Sequence, residues 1–501
     1  MPLLDDAAVA RLRDRLETLD YRSDPVLALI GADGQAGLGR NSTVPAERAL
    51  RGDGSELATC VRLWLLQREV ALPELRRALG DSLDDLRAAG LVETAGEVAR
   101  AAVDVRPYAS DDDGAGGWLV ADLTPGLDQQ VAPMRPDYVL GASPASTTLA
   151  QLAIRRPVGR ALDLGTGCGV QSLHLARHAE EVVATDLNPR ALALADLTLR
   201  LSGARTGAGR PVELREGSLY EPVAGEQFDL VLTNPPYVMS PPEGERLVYR
   251  EGVFTGDALV RRVVADGTRH LAPGGTLQVL ANWAHVRGEH WGDRVSGWVA
   301  GSGCDLFAVQ REVLDPAAYV ELWLADAGLA GSPSYRERYH RWLDYFDELG
   351  VEAVGMGWLA VHRAERARPQ LRTLDWPHAV EQPVGPALAG QQQGLTWSLL
   401  AEDELLALRW RLAEDVVQET IGRPGAADPE HVVLRQQRGL RHAMAVDTAT
   451  GGVLGACDGE LTLGQILAAV ATLLEDDPDA VRARVLPRVR EALADGLLLP
   501  A

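Results

Sequence analysis

The chain has 501 residues, with 71 acidic against 49 basic ones, every basic one Arg, and a formal net charge of −22; that balance works against gripping a phosphate backbone, and the length implies two or three domains. Apolar residues make up 46%, but no apolar run approaches the roughly 18 residues of a membrane span, and acidic Asp5-Asp6 stand where a signal peptide needs basic residues, so a cytoplasmic protein with no membrane partner is expected. Cys60, Cys168, Cys304 and Cys457 are far apart and follow no metal spacing, and the histidines form no ligand cluster, so neither disulfide nor metal is expected.

Residues 1–130 read as a separate helical module. Glu56 to Gln67, Pro73 to Leu79 and Leu83 to Ala89 are amphipathic. Gly90-Leu91-Val92-Glu93 follows, and then strand-like Ala99 to Val105 and Trp118 to Ala121. Helices followed by a two-stranded ribbon suggest a winged helix. Its acidic tip, Asp111-Asp112-Asp113, would repel phosphate and favours a protein-facing or purely structural role. Between this module and the next lies Arg135 to Thr148, where Ser146 or Thr147 is expected to cap a helix starting near Leu149.

Residues 131–374 carry the chemistry. Arg160 to Leu164 reads as a short buried strand, Gly165-Thr166-Gly167-Cys168-Gly169 as a tight turn, and Val170 to His178 as a helix. Glycines there let backbone approach a ligand, and the free N–H groups of the helix start favour a polar or negative group. Cys168, inside the turn, suits a small filler better than a nucleophile. A second strand, Glu181 to Thr185, ends in Asp186, at a place where a carboxylate commonly binds a ribose diol. Val212 to Arg215, Gln227 to Thr233, Thr276 to Ala281, Asp305 to Val309 and Val354 to His362 are further strands, mostly separated by helical stretches. Such alternation predicts a largely parallel sheet covered on both faces, with the ligand at the carboxyl ends of the strands.

At one of those ends stands Asn234-Pro235-Pro236-Tyr237. The lone pair of a carboxamide or nucleobase NH2 is delocalised into its π-system and attacks carbon poorly. An Asn carboxamide oxygen and a backbone carbonyl, stiffened by two prolines, can accept both N–H hydrogens and favour pyramidal nitrogen. Tyr237 offers a flat face for stacking. The alternative is a proline-stiffened turn. Val238 to Gly252, rich in Pro, Glu and Arg, is expected to form a flap over the substrate. The aromatic residues of 315–350 read as packing, or as a base-stacking or peptide-binding lid.

From residue 388 to 501 an α+β, winged-helix-like module is expected. Val432 to Val446 alternates like a hairpin around Gly439, and Leu461 to Leu474 and Val481 to Ala494 are amphipathic helices, the first capped within Asp458 to Thr462. Arg435, Arg438 and Arg441 face a phosphate or acidic partner, or else a solvated strand edge.

The dinucleotide fingerprint G-x-G-x-x-G fails at Val170. Instead, Asp163 before G-x-G-x-G, then Asp186-Leu187-Asn188, then Asn-Pro-Pro-Tyr, resemble the motifs of class I S-adenosylmethionine-dependent methyltransferases of the amino-methylating branch. The resemblance covers roughly 135 to 365. It implies a seven-stranded Rossmann-like sheet, mostly parallel with the last strand antiparallel, and S-adenosyl-L-methionine as cofactor. Gly165, Gly167 and Gly169, with Thr166 in the same turn, would cradle the methionine end; Asp163 would hold its amino group directly or through water. Asp186, followed by Leu187 and Asn188, would take the ribose hydroxyls, and Ser218 and Leu219 would meet the adenine. The stretch Tyr237 to Glu243 is similar to release-factor glutamine methyltransferases, while adenine- and guanine-modifying enzymes share the core motif. The implied acceptor is a protein glutamine amide. An RNA or DNA exocyclic amine is the alternative, and a non-catalytic cofactor-binding regulator a further one, with the flanking modules contacting substrate or a partner protein.

Overall fold

The computed structural model describes residues 3–129, 135–242, 254–329, 331–424 and 430–501. It divides into two compact units, Met1–Ala150 with Arg156–Pro377, and Gln151–Arg155 with His378–Ala501.

The first unit is built on an eight-stranded sheet. In chain order its strands are β1 (Val158–Leu164), β2 (Ala179–Asp186), β3 (Glu213–Glu216), β4 (Phe228–Thr233), β5 (Leu271–Val286), β6 (Asp305–Leu314), β7 (Val351–His362) and β8 (Leu371–Asp375). They lie side by side as β8-β6-β7-β5-β4-β1-β2-β3. The β1–β5 ladder is parallel, β6 and β8 pair in parallel, and β7 runs antiparallel to both β5 and β6. The helices attached to this sheet are α1 (Val170–Leu175), α2 (Pro189–Leu201), α3 (Ala258–Gly267), α4 (Trp291–Gly297), α5 (Pro316–Asp326) and α6 (Tyr335–Leu349). Leu162, Val183, Phe228, Val231, Val263, Leu277, Trp283 and Leu306 form the centre of an apolar cluster, all nearly inaccessible. These strands are near-continuous apolar runs because a parallel sheet buries both faces.

Four expectations change. The sheet has eight strands instead of seven: β8 is a half-exposed edge strand with Arg372 at its second position, so no apolar run announced it. The strand expected at Thr276–Ala281 extends over Leu271–Val286, because Pro273-Gly274-Gly275 forms an irregularity inside the ladder rather than a boundary. Ala99 to Val105 is not one strand: Val98–Ala101 pairs back onto Val92–Ala95, and Asp104–Ala109 starts a second hairpin with Gly116–Ala121. The helix expected near Leu149 begins at Pro144, capped by Ser143, whose Oγ accepts from Ser146 N at 3.2 Å.

The Gly116–Ala121 strand lies along α2. Trp118 N and Val120 N donate to Ser202 Oγ and Thr198 Oγ1, both at 2.9 Å. Gly117, at φ +132°, could not carry a side chain there, since a Cβ would stand 2.3 Å from Ser202 Oγ. The acidic tip does not present all its carboxylates to solvent as expected. Asp113 Oδ2 lies 2.7 Å from His174 Nδ1, and Tyr108 Oη lies 2.7 Å from His174 Nε2, with His174 in α1 almost fully buried. A buried imidazole needs partners for both nitrogens, and the hairpin supplies them.

The second unit is α+β by itself. It has two three-stranded sheets, with the 431–436 and 443–446 strands pairing as the expected hairpin. Leu463–Leu473 is capped reciprocally by Thr462 and Gln465. Arg435 pairs with Glu419 on the neighbouring strand at 2.8 Å. Trp410, inaccessible to solvent, anchors the core of this unit.

Candidate functional site

The register of the sheet brings three chain segments to one level. Leu164 pairs with both Thr185 and Thr233, so β1, β2 and β4 end together. Thr233 Oγ1 ties two of these ends by donating to Leu164 O at 2.8 Å. Beyond them opens a cavity of about 740 Å³, walled by the glycine turn, the ends of β2 and β4, the segment Tyr138 to Ser146, and part of α5.

The glycine turn follows from its backbone. Gly165, Gly167 and Gly169 have φ of +77°, +57° and +88°, values that cost a side-chain-bearing residue free energy. A Cβ on Gly165 or Gly167 would meet nothing within 4 Å, so these two leave open space where a ligand can reach the backbone. Gly169 does a different job. It does not line the cavity; its ideal Cβ would lie 3.4 Å from Ala195 Cβ, so it sets the close packing of α1 on α2. Cys168 lines the wall, and burial pushes its thiol up to about 12, which suits a filler.

Two carboxylates brace the turn. Asp163 Oδ2 accepts from Thr166 Oγ1 and Ser172 Oγ, both at 2.6 Å. It is nearly inaccessible, and burial raises its pKa to about 6 against those hydrogen bonds. Asp186 accepts from Gly167 N through Oδ2 and from Asn188 N through Oδ1, both at 2.9 Å; burial also raises it above the usual carboxylate range. Asn188 caps α2 by accepting from Arg190 N and donates to Asp137 O at 2.9 Å, which fixes the segment Tyr138 to Ser146 that roofs the cavity. Asp122 holds the same segment through Val139 N at 2.8 Å and pairs with Arg190. Leu187, 58% exposed, lies on the wall with Ser218 and Leu219, the last at φ +50°, a strained value for a branched residue.

Across the cavity, Asn234, Pro235, Pro236 and Tyr237 all line the wall. Asn234 Oδ1 is buried and has no hydrogen-bond partner. A buried carbonyl oxygen left unpaired costs about 1–3 kcal/mol, and natural structures rarely tolerate this without a reason. Tyr237 stands edge-on to Trp323 of α5, ring centroids 6.1 Å apart, and burial keeps its phenol protonated. Met239 N donates to Tyr319 Oη at 3.0 Å, which also accepts from Asn282 Nδ2 at 2.7 Å. The aromatic connection is therefore both packing and wall: Tyr319, Trp342, Tyr345 and Phe346 form a core that grips the motif loop, while Leu322, Trp323 and Asp326 face the cavity. The flap expected at 238–252 lies outside the described residues beyond Pro242.

Among the described lining residues there is no Arg or His; the charged ones are Asp163, Asp186 and Asp326. Such a wall suits a cationic sulfonium donor and a neutral acceptor. Thr185 and Gln171 are wall residues that the sequence patterns did not assign to the site. Gln171 carried a weak signal, a polar residue directly after the glycine turn, but Ser172 and His174 beside it are polar too.

The strand order, the positive-φ glycine turn at the first strand end and the acidic end of the second are those of the class I S-adenosylmethionine-dependent methyltransferase fold. Residues 143–290 match the methyltransferase small domain family. Two families described as domains of unknown function, DUF7059 and DUF7782, match residues 18–102 and 395–500. The chain is 36% identical over 160 residues to a release factor glutamine methyltransferase of Gloeobacter violaceus, covering 28% of this chain and 54% of that one. It is 33% identical over 200 residues to the Geobacter sulfurreducens protein of the same name, covering 37% and 64%. A ribosomal RNA small subunit methyltransferase C of Alcanivorax borkumensis is 31% identical over 156 residues, covering 31% and 42%. The chain thus spans roughly half the length of these relatives. No described helix is long and apolar enough to cross a membrane.

Proposed function

We propose that this chain transfers a methyl group from S-adenosyl-L-methionine to a planar NH2, and that the acceptor is a glutamine side-chain amide of a protein. The observation that carries this reading is the unpartnered Asn234 Oδ1 on the cavity wall. An acceptor NH2 can donate to it and to the carbonyl of the following proline; both bonds strengthen as the nitrogen pyramidalises, so they favour the transition state over the ground state. Tyr237 stacks on the planar group, and the cofactor supplies the electrophilic methyl. Asp186 takes the ribose hydroxyls on its remaining lone pairs, Gly165, Thr166 and Gly167 form the floor under the methionine end, and Leu187, Ser218 and Leu219 border the adenine. No strong base is needed, because the proton on nitrogen becomes acidic once the methyl has arrived.

The protein acceptor is supported by the release-factor relatives and by the absence of cations among the described lining residues. A nucleic-acid amine is the second reading, favoured by the likeness to the ribosomal RNA enzyme. We divide the chain into modules 1–130, 131–374 and 388–501 and assign the flanking two to contacts with the acceptor or a partner protein. The test is extract from a deletion strain incubated with the full chain and radiolabelled cofactor, then digested separately with protease and nuclease. Label released by protease alone is expected. Label released only by nuclease would replace the acceptor, and no label in either fraction would overturn the activity.

A further inference from the structure

Gln171 sits two residues after the glycine turn, on the first turn of α1, and only 6% of it is exposed. Its Nε2 donates to Ser146 O in the roof segment at 2.7 Å. That bond fixes which way the amide faces, because the reverse orientation would set two carbonyl oxygens against each other. The remaining atom, Oε1, is buried, has no partner, and belongs to a side chain on the cavity wall. Its neighbour Ser172 is the residue that donates to Asp163.

Resting on the donor site proposed above, we infer that Gln171 Oε1 accepts a hydrogen bond from the α-ammonium of the cofactor's methionine end. The oxygen is an acceptor, so it rejects the α-carboxylate and needs an N–H or O–H. Of the donor's three such groups, the ribose hydroxyls belong beside Asp186 and the adenine amine beside Ser218. Only the ammonium belongs beside Asp163 and the glycine turn. Asp163 neutralises its charge, and Gln171 fixes its direction. The same amide then holds ligand on one side and roof on the other, so a donor lacking the amino group loses both the contact and its link to the roof.

Calorimetric titration of the full chain with S-adenosyl-L-homocysteine, its desamino analogue and 5′-methylthioadenosine tests this. Gln171→Met is expected to weaken S-adenosyl-L-homocysteine about tenfold, the worth of a hydrogen bond to a charged group, and to leave 5′-methylthioadenosine unchanged. Gln171→Leu, close to the amide in shape and without an acceptor oxygen, is expected to behave as the Met variant does and serves if that variant does not fold. Equal weakening of all three ligands, or no weakening of any, in either variant would overturn the assignment. A wild-type chain that binds none of the three refutes the donor site itself, a failure distinct from wild-type binding with unchanged selectivity in the variants.

Discussion

The two loops that face each other across the cavity are finished to different degrees. On the glycine side the acidic and capping groups have partners: Asp163 takes two hydroxyls, Asp186 two backbone N–H groups, and Asn188 both caps a helix and holds the roof, while Gln171 Oε1 stays open for the donor. On the other side Asn234 is held in place by two prolines and an aromatic scaffold, yet its oxygen is left open. The first loop is a socket whose carboxylates are already braced before any ligand arrives. The second keeps one acceptor unsatisfied until a reaction partner enters, which is how a group that works mainly in the transition state should look.

The largest effect should come from breaking the open side. Asn234→Ala is expected to lower methyl transfer by about 10²–10³, roughly 2.7–4 kcal/mol by analogy with losing one oxyanion donor, while cofactor affinity in calorimetry stays unchanged. Parallel loss of both would erase the distinction between the loops.

Next comes the charge in the braced socket. Asp163 has a folded pKa near 6, above its ordinary 3.8, so between those values the folded chain keeps a proton that the unfolded chain gives up. Stability from this group is therefore full below about pH 4 and is lost as pH rises through 6. Asp163→Asn keeps an acceptor oxygen and removes the buried charge. It should stabilise the unliganded chain at pH 7 by up to about 3 kcal/mol, flatten the stability profile between pH 4 and 6, and weaken cofactor binding. Denaturant melts at pH 4.5 and 7 check this, and a variant less stable than wild type at pH 7 would contradict it.

A smaller loss sharpens the role of the N-terminal hairpin. Asp113→Ala leaves His174 Nδ1 buried without its partner, and a cost of about 1–3 kcal/mol in thermal or chemical melting is expected. The smallest is outside the first unit. Thr462→Ala removes a capping box from Leu463–Leu473 and should cost about 1 kcal/mol, with cofactor affinity untouched.

Much of the catalytic half was legible in the chain because its signals are local. Gly165 and Gly167 announce a backbone that only glycine adopts cheaply, Asp186 ends an apolar strand, and Asn-Pro-Pro-Tyr follows one. What escaped depends on contacts distant in sequence. Gly169 was indistinguishable from its neighbours until Ala195 was seen beside it. Asp113 looked like part of a solvated acidic turn because nothing local tied it to His174. The short edge strand Leu371–Asp375 exists through pairing with β6 and not through its own pattern. Gln171 is the intermediate case: its polarity was visible, but its meaning required Ser146 and an empty oxygen.

A crystal structure of the chain with S-adenosyl-L-homocysteine and its captured acceptor addresses the open oxygen most directly. The expected result is an acceptor NH2 nitrogen about 3 Å from Asn234 Oδ1, with its plane against Tyr237. An acceptor nitrogen bound elsewhere, with Asn234 Oδ1 turned to a protein donor, would contradict the reading.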